Sequence, residues 1–182
     1  MDEKLIDQCK KKHRGSQKLV YELLAPGLYL VCKRYLKQQE EIEEALADAF
    51  YTIFTKIDQL KEPAAFESWA RKIVVNQCLL AIRRKKEAAV YLEDVGESVV
   101  AGTVDESALE EEDVLILLDY LPVGARTVFC LYAIEGYSHK EIAVQLGISE
   151  GTSKSQLNVS RTKLKELMEL YYDQTKSYGT SR

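Results

Sequence analysis

Nothing in this sequence approaches the ~20 consecutive apolar residues that a helix needs to cross a bilayer. The opening Met1-Asp2-Glu3-Lys4 begins no apolar stretch of the signal-peptide kind. A cytoplasmic protein without direct membrane insertion is the expectation. Cysteine is scarce: Cys9, Cys32, Cys78 and Cys130 are scattered without a CxxC spacing, and the two histidines, His13 and His139, lie far apart. A zinc site needs clustered ligands, so these are read as ordinary thiols of a reducing compartment. No phosphate loop, nucleophile elbow or metalloprotease helix occurs. Neither an enzyme nor a bound cofactor or metal is expected.

What is present is charge, unevenly placed. The net charge of −4 looks wrong for a nucleic-acid binder until it is divided along the chain. Residues 1–88 carry 17 Lys/Arg against 13 Asp/Glu, residues 89–113 carry 9 acids and no Lys or Arg, and residues 114–182 carry 8 against 7. One acidic segment hides a mildly basic remainder, and the distribution matters more than the sum.

Two blocks of helical periodicity flank that segment. In the first, an apolar pattern runs from Leu19 to Leu36, with Ala25-Pro26-Gly27 predicting a kink or break. Ile42, Leu46, Ala49, Phe50, Ile53 and Ile57 then form one helical stripe. After Lys61-Glu62-Pro63, a long helix from about Ala64 to Lys86 is apolar nearly all round, which is the mark of a central, buried helix. Phe66, Trp69, Ala70, Ile73, Val74, Leu80 and Ala81 make its broad apolar side. Its one polar strip holds Lys72, Asn76, Arg83 and Lys86, within about 40° of a common line, and ends in Arg83-Arg84-Lys85-Lys86. Such a strip is either a solvated face or a phosphate-facing one.

The residues fix an all-α class: two small helical domains joined by an acidic flexible linker, the second domain a helix-turn-helix. The boundaries are 1–87, 88–110 for the linker, 111–172, and 173–182 for a polar, frayed tail.

The second block opens with Val114, Leu115, Leu117, Leu118 and Leu121, stopped by Pro122, and continues in a helix near Ala125–Glu135 that ends at Gly136-Tyr137. Ser138-His139-Lys140-Glu141 reads as a capping box. Ile142, Ala143 and Leu146 form the inner face of a short helix, Gly147 supplies the positive φ that ends it, and Ile148 plugs the turn. Ser149 caps a second helix running to about Leu170. Small Ala143 permits close crossing, and the whole is the geometry of a DNA-reading helix-turn-helix. Its second helix offers Thr152, Lys154, Ser155, Asn158 and Arg161 outward. Lys and Arg suit phosphates or guanine edges, and Asn158 suits adenine.

These two blocks resemble, over nearly the whole chain, the small bacterial sigma factors of the extracytoplasmic-function (ECF) type within the sigma-70 family. Tyr35 ahead of an acidic helix with Phe50, then Phe66-x-x-Trp69, Ile73 and Asn76 before Arg83-Arg84, look like its core-binding and −10-reading regions. Leu121-Pro122, Arg126, Gly136-Tyr137-Ser138, Glu141-Ile142-Ala143, Leu146-Gly147-Ile148-Ser149 and Gly151-Thr152 look like its −35-reading domain. The resemblance implies that Glu44, Ala47, Asp48 and Tyr51 dock on core RNA polymerase. It implies that Lys72, Asn76, Arg83, Arg84, Lys85 and Lys86 meet the −10 element, and that the loop around Gln59–Pro63 receives a flipped base. Thr152, Lys154, Ser155, Gln156, Asn158 and Arg161 would meet the −35 element, with Gln156 standing for a usual Arg and Ser153 for a usual buried aliphatic. Promoter DNA and a restraining anti-sigma factor are the other implied partners. A helix-turn-helix regulator acting without core polymerase, and an interaction module that binds only protein, are the alternatives.

Overall fold

A computed structural model describes residues 1–91 and 111–179, without the side chains of residues 86–91, 111–113 and 171–179. Most of the segment read as a linker lies outside the described residues, as does the end of the tail. The chain divides into two units, Met1–Gly96 and Glu97–Arg182. Among the described residues every regular element is helical.

The N-terminal unit holds α1 (Glu3–Lys10), α2 (Arg14–Lys33), α3 (Gln39–Lys56) and α4 (Phe66–Tyr91), with single 3₁₀ turns at Ile57–Gln59 and Pro63–Ala65. Helix α4 packs against both α3 and α2. Phe66, Ala70, Val74, Val75 and Cys78 of α4 are fully or almost fully buried, and so are Val20 and Cys32 of α2 and Ala49 and Ile53 of α3. Their burial is the main stabilising term, at about 25 cal/mol per Å² of apolar surface removed from water. Of the kink or break expected at Pro26, the break does not occur: α2 continues through it. Proline lacks the N–H that would bond the Glu22 carbonyl, and Pro26, Gly27 and Glu22 all lie on the exposed side of the helix, where solvent can reach it. Leu80 is likewise 39% exposed rather than part of the inner face. Helix α1, which the apolar periodicity did not signal, is capped by Asp2 and buries Ile6 and Cys9.

In the second unit, α5 (Glu111–Asp119), α6 (Val123–Phe129), α7 (His139–Leu146) and α8 (Glu150–Gly179) follow. The last turn of α6 opens into π geometry over Cys130–Ile134. Leu118, Leu121, Ala125, Val128, Leu131 and Ile142 are buried together with Leu157 of α8. Helix α8 runs on past Leu170 because no Gly or Pro intervenes before Gly179.

All four cysteines are free and buried. Cys78 is hydrogen-bonded to Cys32 and desolvated, which pushes its thiol well above the usual range, and burial raises Cys9 too. Such thiols pack as small apolar side chains and do not react readily.

Candidate nucleic-acid interface

The turn in the second unit is built as its residues dictate. Ser138 Oγ accepts from the Glu141 amide at 3.3 Å, and Glu141 Oε2 accepts from the Ser138 amide at 2.8 Å. Gly147 ends α7 at φ 64°, ψ 38°, in the left-handed region. The Ile148 amide then donates to the Ala143 carbonyl at 3.1 Å, and Ser149 Oγ accepts from the Thr152 amide at 2.9 Å to start α8. Both caps hold the angle between the two helices.

On α8, Ser153, Leu157 and Ser160 face the core, which turns Lys154, Ser155, Asn158 and Arg161 outward, all exposed. Thr152 is exposed as well, but its hydroxyl shares a 2.9 Å hydrogen bond with Ser149 and so belongs to the cap. Gln156 departs from the expected strip. It is half-buried, and its amide lies 3.4 Å from where a Cβ on Gly124 would stand, so it fills the hollow that glycine leaves on α6. Where a helix-turn-helix normally holds an aliphatic, Ser153 is fully buried and shares a 2.9 Å hydrogen bond with His139 Nδ1. The His139 ring stacks on Tyr132 with centroids 4.6 Å apart. The Arg161 guanidinium stands 5.8 Å from the centroid of the same tyrosine, a cation–π approach that orients it.

In the first unit, α4 presents the polar strip expected of it. Lys72, Asn76 and Arg83 are exposed along one line, with Leu80 between them. Half-buried Trp69 and Ile73 flank the same line. Trp69, which the sequence places with the core, is therefore partly exposed two turns before Asn76, and an aromatic face of this kind can hold an unstacked base. Arg84 is exposed but turned off the strip's centre. Lys85 points elsewhere: its Nζ donates to Glu41 of α3 at 2.9 Å. At the surface that pair contributes about 0–1 kcal/mol. The side chain of Lys86 lies outside the described residues. On α3, Glu44, Ala47 and Tyr51 are exposed and Asp48 half-exposed, all on the face away from the core. Tyr51 is 73% exposed, one turn beyond Asp48 and two beyond Glu44 on the same helix.

A DNA-reading helix-turn-helix in one helical unit and a basic strip on the central helix of another define a two-domain transcription protein. Residues 20–88 match the sigma-70 region 2 family, and residues 112–164 match the family described as Sigma-70, region 4. The chain is 31% identical over 142 residues to the ECF RNA polymerase sigma factor SigM of Mycobacterium tuberculosis, a match covering 78% of this chain and 71% of that one. Against the ECF RNA polymerase sigma factor SigW of Bacillus subtilis the identity is 28% over 184 residues, covering 91% and 96%. Among solved structures the fold matches that of the sigma factor RpoE, determined in complex with the anti-sigma factor NepR from Bartonella quintana. The TM-score is 0.55 at 22% identity, covering 84% of this chain and 96% of that one. This chain belongs to the ECF-type sigma factors of the sigma-70 family, which direct RNA polymerase to promoters. A regulator acting without polymerase is the less favoured reading.

Among the described residues no helix is long and apolar enough to cross a membrane.

Proposed function

We propose that the two surfaces divide promoter recognition between them, and that neither performs chemistry. Lys72, Asn76 and Arg83 on α4 meet the −10 element, with Trp69 offering a stacking surface and Arg84 and Lys86 adding positive charge. Lys85 joins them only by leaving Glu41. The loop at Gln59–Pro63 takes a base flipped out of the stack, a step that costs a few kcal/mol. On α8, Ser155 and Asn158 read base edges of the −35 element, while Lys154 and Arg161 hold phosphates. The observation that carries this reading is the exposed line of Lys72, Asn76 and Arg83 on a helix that also buries Phe66, Ala70, Val74, Val75 and Cys78 in the core.

Asn76→Ala removes a side chain that touches no core, so stability and polymerase binding stay as they are. Selectivity among −10 variants in transcription assays falls instead, by about 1–3 kcal/mol for one base contact. Undiminished selectivity would remove Asn76 from the interface. Lys154→Ala lowers the log–log salt slope of promoter binding by about 0.9 if it neutralises one duplex phosphate, and an unchanged slope means that it neutralises none.

The exposed face of α3, with Glu44, Ala47, Asp48 and Tyr51, docks on core RNA polymerase. The protein acts in the bacterial cytoplasm, where polymerase is. An anti-sigma factor restrains it, a reading supported by the likeness in fold to RpoE, crystallised with NepR, and to CnrH, determined in complex with the cytosolic domain of CnrY.

A further inference from the structure

The turn between α1 and α2 takes no part in the surfaces above, yet it concentrates more positive charge than any other turn in the first unit. Lys10, Lys11, Lys12, His13 and Arg14 follow one another, and all but Lys10 are exposed. Three observations say that this run is built rather than merely solvated.

The first is backbone geometry. Lys12 has φ 60°, the one positive-φ residue other than glycine among the described residues. Helix ends of this left-handed type favour Gly, which has no Cβ to clash. A lysine there accepts a conformational cost that glycine avoids, and such outliers gather at functional turns.

The second is rigidity. The Lys12 amide donates to the Cys9 carbonyl at 2.9 Å and the His13 amide to the Gln8 carbonyl at 3.0 Å. His13 Nδ1 accepts from the Ser16 amide at 3.2 Å and caps α2. The buried Ser16 hydroxyl donates to Gln8 Oε1 at 2.6 Å. The basic side chains are thus presented from a fixed frame, which lowers the entropy cost of binding.

The third is placement. Helix α1 lies along residues 57–67. Its amino end reaches Glu67 at the start of α4, 3.2 Å from the Met1 amine, and at its other end Lys10 Nζ donates to the Leu60 carbonyl at 3.3 Å. The turn therefore sits beside the loop that takes the flipped base. On that loop Lys61 adds a positive charge while Asp58 and Glu62 oppose it. The excess that remains comes from the turn itself.

We infer that Lys11, Lys12 and Arg14 form a phosphate-binding turn that holds the backbone of the single-stranded −10 DNA as it passes the Gln59–Pro63 loop. This rests on the reading of that loop and of α4 as the −10 surface. A strand whose base has left the stack has a free backbone on either side, and fixed cations there keep it from closing again.

The test uses the full chain assembled with core RNA polymerase. Wild-type holoenzyme first selects a promoter from a randomised DNA library. The −10 segment of that promoter is then used as a short single strand, beside its duplex −35 segment. The variant is Lys11→Ala, Lys12→Gly, Arg14→Ala. Because glycine relieves the left-handed backbone, this variant melts no lower than wild type. Its salt slope on the single strand falls by about 0.7 for each phosphate no longer neutralised, so by about 2 if all three side chains contribute, while duplex −35 binding and affinity for core are unchanged. An unchanged slope on the single strand overturns the inference, as does a defect confined to core binding, which would make the turn a protein-docking surface. Failure of the wild-type holoenzyme to select any promoter overturns instead the reading on which the inference rests.

Discussion

A chain carrying Arg126→Ala loses its C-terminal unit. Arg126 is 1% exposed, the largest fully buried side chain of the described residues, and its Nη1 is paired with Asp119 at the end of α5. The pair ties α5 to α6 beneath the helix-turn-helix. Truncating a side chain of this size leaves a cavity in the core of the unit, at about 2–5 kcal/mol. A unit this small has a total stability of the same order, about 0.05–0.15 kcal/mol per residue. Thermal melting should therefore show the transition of this unit abolished or sharply lowered, with −35 binding abolished alongside it. Arg126→Met keeps most of the volume and buries no charge, while half-exposed Asp119 hydrates, so most of the stability returns. If the alanine variant melts like wild type, the guanidinium does not hold the unit together.

The second large effect is on polymerase. Tyr51 is 73% exposed on the outer face of α3, so Tyr51→Ala leaves the fold and its melting temperature as they were. Exposed aromatics of this kind anchor interfaces, and losing such an anchor costs at least about 2 kcal/mol. Affinity for core polymerase should fall about 30-fold or more, the same quantity expressed as a ratio. Glu44→Lys, at the edge of the same face, should mainly slow association in a salt-dependent way. Wild-type affinity for both variants would move the polymerase-binding surface off α3.

Much of this was legible in the residues because local chemistry determines it. The capping box at Ser138 and Glu141, left-handed Gly147 and the Ser149 cap need only neighbours in sequence, and all three form as expected. The strip of Lys72, Asn76 and Arg83 was legible because helical periodicity alone sorts a long helix into faces. Partners distant in sequence are not visible in the residues alone. Gln156 packs into the hollow left by Gly124, 32 positions earlier, and Lys85 of the basic run also pairs with Glu41. The burial of Arg126 was not legible either, because it depends on pairing with Asp119 of the preceding helix. Helix α1 was hidden because it spans only Glu3–Lys10 and buries just two residues, Ile6 and Cys9, too few to show a period. A Pro at position 26 does not break α2, because the carbonyl it frees is on an exposed side of the helix that solvent can reach.

Lys85 and Gln156 each make a contact inside their own unit. The exposed residues of the two strips are Lys72, Asn76, Arg83 and Arg84 on α4 and Lys154, Ser155, Asn158 and Arg161 on α8. Neither set is strongly basic, so each alone should bind DNA weakly at physiological salt. Useful affinity then requires both, held together on polymerase, where linkage raises the effective concentration of the second surface.

Reconstitution with core RNA polymerase tests this most directly. The purified chain is added to core enzyme and a library of DNA templates, and transcript start sites are mapped with and without it. The account predicts starts at a defined set of promoters sharing −10 and −35 sequences, dependent on the chain, and weak DNA binding when core is absent. Tight, sequence-specific binding to duplex DNA by the chain alone, with no affinity for core and no new start sites, would contradict it.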